Sequence, residues 1–133
     1  MPQHLAHVAL LVDDYDRAIR WYTGKLGFDL VEDTRLSEEK RWVLLAPHGS
    51  TGCNILLARA ANTAQTKAIG DQSGGRVFLF LHTDDFHRDH THMRTQGVEF
   101  VREPVNERWG TVAVFKDLYG NLWDLIGPPI IAH

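Results

Sequence analysis

An internal repeat limits this chain to folds that use one supersecondary unit twice. The segment Asp13-Asp14-Tyr15 returns as Asp84-Asp85-Phe86, a shift of 71 positions (84 minus 13). Further along, Gly27-Phe28-Asp29-Leu30-Val31 returns as Gly97-Val98-Glu99-Phe100-Val101, a shift of 70 positions (97 minus 27). In each copy, paired aspartates can cap the start of a helix and a glycine can end it. The repeat therefore predicts two copies of one unit along the chain.

Each predicted copy consists of a strand, a helix and three more strands. Module one spans about residues 4–59, a small and polar connector spans about 60–75, and module two spans about 76–127, within one domain. Apolar and alternating runs predict strands at 7–12, 28–32, 41–46, 53–58, 77–82, 98–102, 111–115 and 122–126. Apolar residues at helical spacing predict helices at 15–26 and 86–96, with a short helix near 64–69.

A tight turn is predicted at Asp117-Leu118-Tyr119-Gly120-Asn121, just before the last strand. Gly120 and Asn121 tolerate the positive φ values that such a turn needs. In the strand that follows, Asp124 has an apolar residue on each side and therefore faces the opposite way from both. Its carboxylate lies either on a solvated edge or in a site. Because a buried charge is costly unless it is paired, we favour a site.

The charge and cysteine content exclude several classes of function. The formal net charge is -3 and there is no basic cluster, which argues against a nucleic-acid partner. The single cysteine, Cys53, excludes an internal disulfide and is typical of a reducing compartment. No apolar run approaches the roughly 20 residues that span a membrane. We therefore expect a cytoplasmic protein with no membrane partner.

Three stretches of the sequence resemble the vicinal oxygen chelate superfamily, which contains glyoxalases, bleomycin-resistance proteins and extradiol dioxygenases. They are His7-Val8-Ala9-Leu10, then Trp21-Tyr22 with Lys25-Leu26-Gly27-Phe28, and above all Asp117-Leu118-Tyr119-Gly120-Asn121. The resemblance implies an α+β fold, in which two βαβββ modules form a mixed sheet curled around a central cavity. It also implies a homodimer that binds a small molecule.

The resemblance also implies positions for metal ligands, on the first and fourth strands of each module. Carried over residue by residue, they are His7, Asn54, Phe78 and Asp124. Phe78 cannot bind a metal, and Asn54 is a weak neutral oxygen ligand. The implied divalent-metal site is therefore reduced to His7 and Asp124, with Asn54 as an additional oxygen. The same two residues are the candidate catalytic groups, and no nucleotide or flavin cofactor is predicted.

Aromatic and polar side chains are predicted to contact the substrate, because small-molecule pockets combine aromatic walls with few polar groups. These residues are Trp42, Asn54, Phe78, Phe80, His82, Trp109, Phe115 and Tyr119. Three of them, Phe78, Phe80 and His82, share one strand face by alternation. Packing within a core or at a subunit contact is the alternative for the aromatic residues.

Other titratable groups receive a plainer interpretation. His87, His90 and His92 lie on a polar helix, so we expect a solvated face there rather than a metal site. A second group consists of arginines that could meet an anionic ligand but are more commonly solvated: Arg41, Arg102 and Arg108.

Two functions from different classes remain open. In the first, the protein is a glyoxalase-like enzyme of lyase, isomerase or dioxygenase type, in which the reduced metal site polarises a small substrate. Glyoxalase I activity itself is not expected, because half of its ligand positions are replaced. In the second, it is a metal-free binding protein of bleomycin-resistance type for a drug or an aromatic metabolite. Phe78 favours the second function, whereas His7 and Asp124 favour the first.

Overall fold

The computed structural model describes residues 2–129, and the elements within that range follow the predicted order. The strands are β1 (His7–Val12), β2 (Asp29–Arg35), β3 (Arg41–Ala46), β4 (Asn54–Arg59), β5 (Val77–His82), β6 (Phe100–Glu107), β7 (Gly110–Lys116) and β8 (Leu122–Gly127). The helices are α1 (Tyr15–Lys25), α2 (Thr63–Ala68) and α3 (Phe86–Thr95). None of these helices is long and apolar enough to cross a membrane.

The strands form two four-stranded mixed sheets rather than a single continuous one. The first sheet has the order β1-β4-β3-β2 and the second the order β5-β8-β7-β6. In each sheet the first pair is parallel and the other pairs are antiparallel. This confirms the α+β class and the two βαβββ modules. The outer strands β2 and β6 run further than predicted, because polar edge strands carry little hydrophobic alternation to mark their ends.

The chain divides into two compact units within the predicted connector. The first unit ends at Ile69 and the second begins at Gly70. The short helix α2 belongs to the first unit, where it contacts β1. That both modules form one domain around a central cavity stays a prediction.

The first unit has its core between α1 and one face of its sheet. Asp14 caps α1, because its side chain accepts a hydrogen bond from the backbone N–H of Arg17 at 3.0 Å. The helix buries Tyr15, Ala18 and Tyr22 and contacts β3 and β4. Its partners on the sheet are alternate, fully or almost fully buried residues: Leu10, Val12, Val43, Leu45, Ile55 and Leu57. The residues between them lie on the opposite, open face of the sheet.

The second unit repeats this arrangement with a different core. Asp85 caps α3 by accepting a hydrogen bond from the backbone N–H of Arg88 at 3.1 Å. Helix α3 buries Met93 and contacts β8. On the helix side of the sheet, the buried residues include Thr111, Ala113, Phe115, Trp123 and Leu125. Because side chains alternate, the neighbours of these residues line the open face of the second sheet.

The turn from Asp117 to Asn121 anchors the connector as well as the last strand. One carboxylate oxygen of Asp117 accepts hydrogen bonds from the backbone N–H groups of Tyr119, Gly120 and Asn121 at 2.9, 3.0 and 2.9 Å. The Asn121 side chain in turn accepts one from the backbone N–H of Gln72 at 3.3 Å. Gly120 has φ +102° as predicted, whereas no non-glycine residue in the described part of the chain, and so not Asn121, has a positive φ.

Gly70 explains how closely the connector lies against this turn. It has φ +79°, and a Cβ at this position would overlap the carbonyl oxygen of Tyr119. Only glycine tolerates both the conformation and the contact. The turn motif is therefore a structural clamp for the segment that begins the second unit.

Candidate ligand-binding site

Four residues form a line across the open face of the second sheet, which we call the Asp124 row: Phe80, Asp124, Val114 and Arg102. Asp124 on β8 lies opposite Phe80 on β5 and opposite Val114 on β7, and Val114 lies opposite Arg102 on β6. Directly paired residues point to the same side of a sheet. The row therefore places one carboxylate and one guanidinium on a common surface, with an apolar residue between them.

Asp124 is half-buried, and its carboxylate is not paired with any side chain in the described part of the chain. No residue there donates a hydrogen bond to it or forms an ion pair with it. Burial raises the pKa of Asp124 above its usual range, and the positive charge of Arg102 offsets part of that rise. A carboxylate held in this way is available to a hydrogen-bond donor or cation from outside the protein.

The residue opposite Asp124 is Phe80 rather than Phe78. In the first unit, His7 pairs directly with Asn54, so the corresponding neighbour of Asp124 was expected at Phe78 from the shift of 71. The pairing of β5 with β8 shifts between Val77 and Leu79, which places Phe80 in that position. Phe78 lies at this irregularity and is half-buried. The register of β5 with β8 therefore differs from that of β1 with β4, although the sequence repeat predicted the same register for both pairs.

A groove of about 380 Å³ continues from the Asp124 row along the same strands. We call it the Trp109 groove, and it is lined by His82, Thr83, Trp109, Ile126, Gly127 and Pro128. His82 and Ile126 pair with each other, two positions beyond Phe80 and Asp124. Phe80 and Trp109 are each 61% exposed, which leaves both rings open to a ligand.

Two close backbone approaches determine the shape of this groove. A Cβ on Gly110 would lie 2.6 Å from the carbonyl oxygen of Gly127. A Cβ on Gly127 would lie 2.5 Å from the Cβ of Phe86 on α3. Gly110 therefore lets the β6–β7 hairpin, which carries Trp109, approach the end of β8, and Gly127 lets that end of β8 approach the start of α3.

Two predicted substrate contacts have other surroundings. Phe115 is fully buried on the helix side, with ring centroids 5.8 Å from Phe100 and 5.8 Å from Trp123. It belongs to the core, because β7 turns every second residue away from the open face. Tyr119 is half-buried in the turn next to Gly70.

The first unit carries a smaller polar and aromatic patch on its own open face. His7 is exposed and pairs with the half-buried Asn54 across β1 and β4. The imidazole of His7 meets the Trp42 ring edge-on, with 5.9 Å between the centroids. His7 and Asp124, which the sequence joined in one catalytic and metal-binding pair, thus belong to different units, and their joint role stays a prediction.

Arg41 and His90 differ from what their sequence contexts suggested. Arg41 forms ion pairs with Asp33 at 2.6 Å and Asp16 at 2.9 Å, so its charge is used within the first unit. His90 is not on a solvated face. It lies between Phe86 and Phe100, with ring centroids 5.4 and 4.6 Å away, and its buried Nε2 has no hydrogen-bond partner. Burial lowers its pKa. His87 and His92 are exposed as predicted.

The donor set does not fit a divalent ion held by three protein ligands. Across residues 2–129, no three histidine, cysteine, aspartate or glutamate side chains are grouped closely enough to bind a metal. The paired positions of β1 with β4 hold His7 and Asn54, and those of β5 with β8 hold Phe80 and Asp124. Catalytic metal sites ordinarily use three protein ligands.

The sequence named Asp124 and Phe80 as site residues, but it did not predict that they lie in one row with Val114 and Arg102. Alternation along the last strand already placed Asp124 on the face opposite the core. The pairing of Arg102 with Val114 could not be read from the sequence, because β6 contains irregularities on both sides of Arg102. Arg102 appeared only as one arginine among several.

Comparison with known proteins identifies the class of protein. The model of the Glyoxalase/Bleomycin resistance protein/Dioxygenase superfamily matches residues 4–125, and the chain belongs to this superfamily. An uncharacterised protein from Shewanella frigidimarina is 58% identical over 95% of this chain and 94% of its own length.

Solved structures support the same assignment. UcmS2 superposes with a TM-score of 0.82 at 30% identity, covering 95% of this chain and 98% of that one. TnmS3, described as an antibiotic binding protein from Streptomyces sp. CB03234, has a TM-score of 0.77 at 29% identity, covering 96% and 97% of the two chains.

Proposed function

We propose that this protein binds a small, partly aromatic molecule on the open face of its second unit, without the help of a metal ion. The observation that carries the proposal is the unpartnered carboxylate of Asp124, which lies beside the exposed Phe80 ring and leads into the Trp109 groove. Apolar and aromatic walls with one or two polar groups are typical of small-molecule sites. The aromatic rings would supply contact area, and the carboxylate would orient the ligand.

One solved relative supports a binding role. TnmS3, which shares 29% identity with this chain over nearly its full length, is described as an antibiotic binding protein. The donor set also favours binding without a metal, since it offers too few ligands for an ordinary catalytic ion. By analogy, a drug or an aromatic metabolite is the class of ligand to test first.

The test is a screen of one- and two-ring aromatic fragments by ¹⁵N-resolved NMR of the full chain. Hits should shift the indole N–H signal of Trp109, assigned with a Trp109→Phe variant, together with amides of β5 and β8. Phe80→Ala and Trp109→Ala should each weaken binding by about tenfold or more, since a buried aromatic contact is worth on the order of 1.5–3 kcal/mol. Leu36→Ala removes a similarly exposed apolar side chain in the first unit and should leave affinity unchanged.

A different result would change the assignment. Hits that bind tightly yet shift only amides of the first unit, with no effect of Phe80→Ala, would place the site elsewhere. A titration with divalent ions belongs in the same experiment. A stoichiometric ion that raises the melting temperature would favour the metal-assisted enzyme instead.

An enzyme remains the second candidate, because of the state of Asp124. Its raised pKa makes this carboxylate a better general base near neutral pH than an ordinary aspartate. In that case, Asp124 would take a proton from a bound carbon or oxygen acid. Exchange of ligand C–H protons for deuterium in D₂O, catalysed by the parent and lost in Asp124→Asn, would support this function, whereas binding without exchange would leave a binding protein.

The homodimer and the cytoplasmic location are proposals of the same kind. The homodimer is implied by the resemblance, and sedimentation equilibrium distinguishes a chain of 15.1 kDa from a species of twice that mass. The free thiol of Cys53 agrees with a reducing compartment.

A further inference from the structure

The Asp124 row carries two opposite charges that the fold itself does not use. The side chains of Asp124 and Arg102 take part in no hydrogen bond or ion pair with other described residues, whereas Arg41 and Arg88 each bind two carboxylates. An aspartate and an arginine that face the same surface usually either pair or point into water. Here the register holds them apart, with Val114 on the strand between them.

Sheet geometry sets the distance between the two charges. Asp124 lies on β8 and Arg102 on β6, and β7 runs between these strands. Adjacent strands are about 4.8 Å apart, so the two backbone positions are separated by roughly 10 Å. Val114 is almost completely buried and offers an apolar floor between them. A ligand that bridges this floor must reach both ends of it.

We propose that the preferred ligand of this site is zwitterionic, with a cationic or hydrogen-bond-donating group for Asp124 and an anionic group for Arg102. The inference rests on the proposed binding function and names the chemical class of the ligand. The two charged groups of the ligand stand roughly 10 Å apart on a flat, apolar frame, which packs against Val114 and the Phe80 ring. The class includes aromatic acids that carry an aminoalkyl group at the far end of the ring system and aromatic antibiotics that carry an amine and a carboxylate at opposite ends.

Electrostatic interactions at Asp124 and Arg102 should favour a zwitterionic ligand over a ligand with a single charge. A ligand cation near Asp124 relieves the cost of holding that carboxylate half-buried without a partner. The planar guanidinium of Arg102 binds a carboxylate through two parallel hydrogen bonds. A ligand with only one of the charged groups leaves the other protein charge without a partner, so each group should contribute separately.

Four probes on one frame test the proposal. They are biphenyl, 4-(aminomethyl)biphenyl, biphenyl-4-carboxylic acid and 4′-(aminomethyl)biphenyl-4-carboxylic acid, titrated into the full chain and followed by NMR and calorimetry. The zwitterion is expected to bind at least about tenfold more tightly than either singly charged probe, since each charge-assisted hydrogen bond is worth a factor of this order. Neutral biphenyl is expected to bind most weakly.

Variants separate the two ends of the site. Arg102→Gln should abolish the advantage of the carboxylate and retain that of the amine, whereas Asp124→Asn should do the reverse. Arg20→Gln on α1 and Asp71→Asn in the connector remove exposed charges of the same type on other elements and should change neither.

The outcomes distinguish this inference from the function on which it rests. Equal affinity for all four probes, with shifts at Trp109 and β8, would overturn the zwitterion while leaving the binding site in place. An advantage of the carboxylate that survives Arg102→Gln would also overturn it. Failure of every probe to bind would refute both the ligand class and the proposed site.

Discussion

Replacing Asp117 with alanine should strongly destabilise the second unit, because its carboxylate accepts hydrogen bonds from most of the backbone N–H groups in the turn. Asp117 is only 5% exposed. One of its oxygens accepts three backbone N–H groups, and the other accepts the side-chain amide of Asn121 at 3.0 Å. Asp117→Ala leaves all of these donors without that acceptor.

The magnitude follows from the burial of each donor. The backbone N–H and side-chain amide of Asn121 are buried, and each costs about 1–3 kcal/mol when it is left unsatisfied. The N–H groups of Tyr119 and Gly120 are half-exposed, so water replaces the lost acceptor at a smaller cost. The two buried donors alone cost roughly 2–6 kcal/mol together. For a chain of this length, a loss of that size lowers the melting temperature by roughly 7–21 °C.

Urea unfolding followed by circular dichroism measures the loss, and amide hydrogen exchange locates it. Protection should fall mainly in the second unit, including the connector amide of Gln72 that the turn holds. Asp117→Asn keeps an acceptor oxygen and should cost less than half as much. Asp71→Ala changes an exposed aspartate of the same unit and serves as the control. A loss below about 1 kcal/mol for Asp117→Ala would refute the reasoning, because the network would then contribute no more than a single ordinary hydrogen bond.

Four further predictions concern Gly127, His90, Asp124 and His7. Gly127→Ala should lower the melting temperature and weaken ligand binding in the Trp109 groove, since the new Cβ meets the Cβ of Phe86; an unchanged melting curve would contradict this. The pKa of His90 is lowered in the folded state, so the unfolded chain takes up the proton first as the pH falls below about 6.5, and the free energy of unfolding declines through that range. His90→Phe should reduce this decline and stabilise the protein by about 1 kcal/mol at pH 7. Urea unfolding at several pH values measures both effects. The pKa of Asp124 is raised in the folded state, so the unfolded chain releases the proton first as the pH rises above about 3.8, and the folded state loses stability from there through the raised pKa. Asp124→Asn should therefore raise the melting temperature at pH 7 while it weakens ligand binding. A lower melting temperature would mean that the carboxylate is paired within the fold. His7→Ala should leave the fold intact, because the side chain is exposed, and circular dichroism checks this.

Local patterns were sufficient to predict most elements of the fold. The bounds of β1, β3 and β5 match the prediction, and those of the three helices and of β4, β7 and β8 differ by one residue at most at either end. These elements carry clear apolar periodicity and strong capping residues, both of which depend only on neighbours along the chain. Edge strands β2 and β6 lack such periodicity, which is why their ends were predicted too early.

The candidate site was predicted in part. Alternation correctly placed Asp124 away from the helix side of its sheet, and it placed Phe80 and His82 together on one face. It could not separate Phe115, which the second core buries, from the residues on the open face. Burial depends on which face the helix covers, and in this unit that is decided by the packing of α3 on β8.

By itself, the sequence determined that the chain repeats one βαβββ unit and that Asp124, in its last strand, faces away from Trp123 and Leu125. Tertiary structure decided which residues stand beside that carboxylate. Strand pairing placed Phe80 rather than Phe78 opposite Asp124 and aligned Arg102 with both, through a shift in one strand pair and irregularities in another. Register is a long-range property, because a slip of a single residue in a strand moves every side chain to the other face. Two modules with matching sequence patterns can therefore differ in how their strands pair, and the strand pairing of the second module forms the Asp124 row.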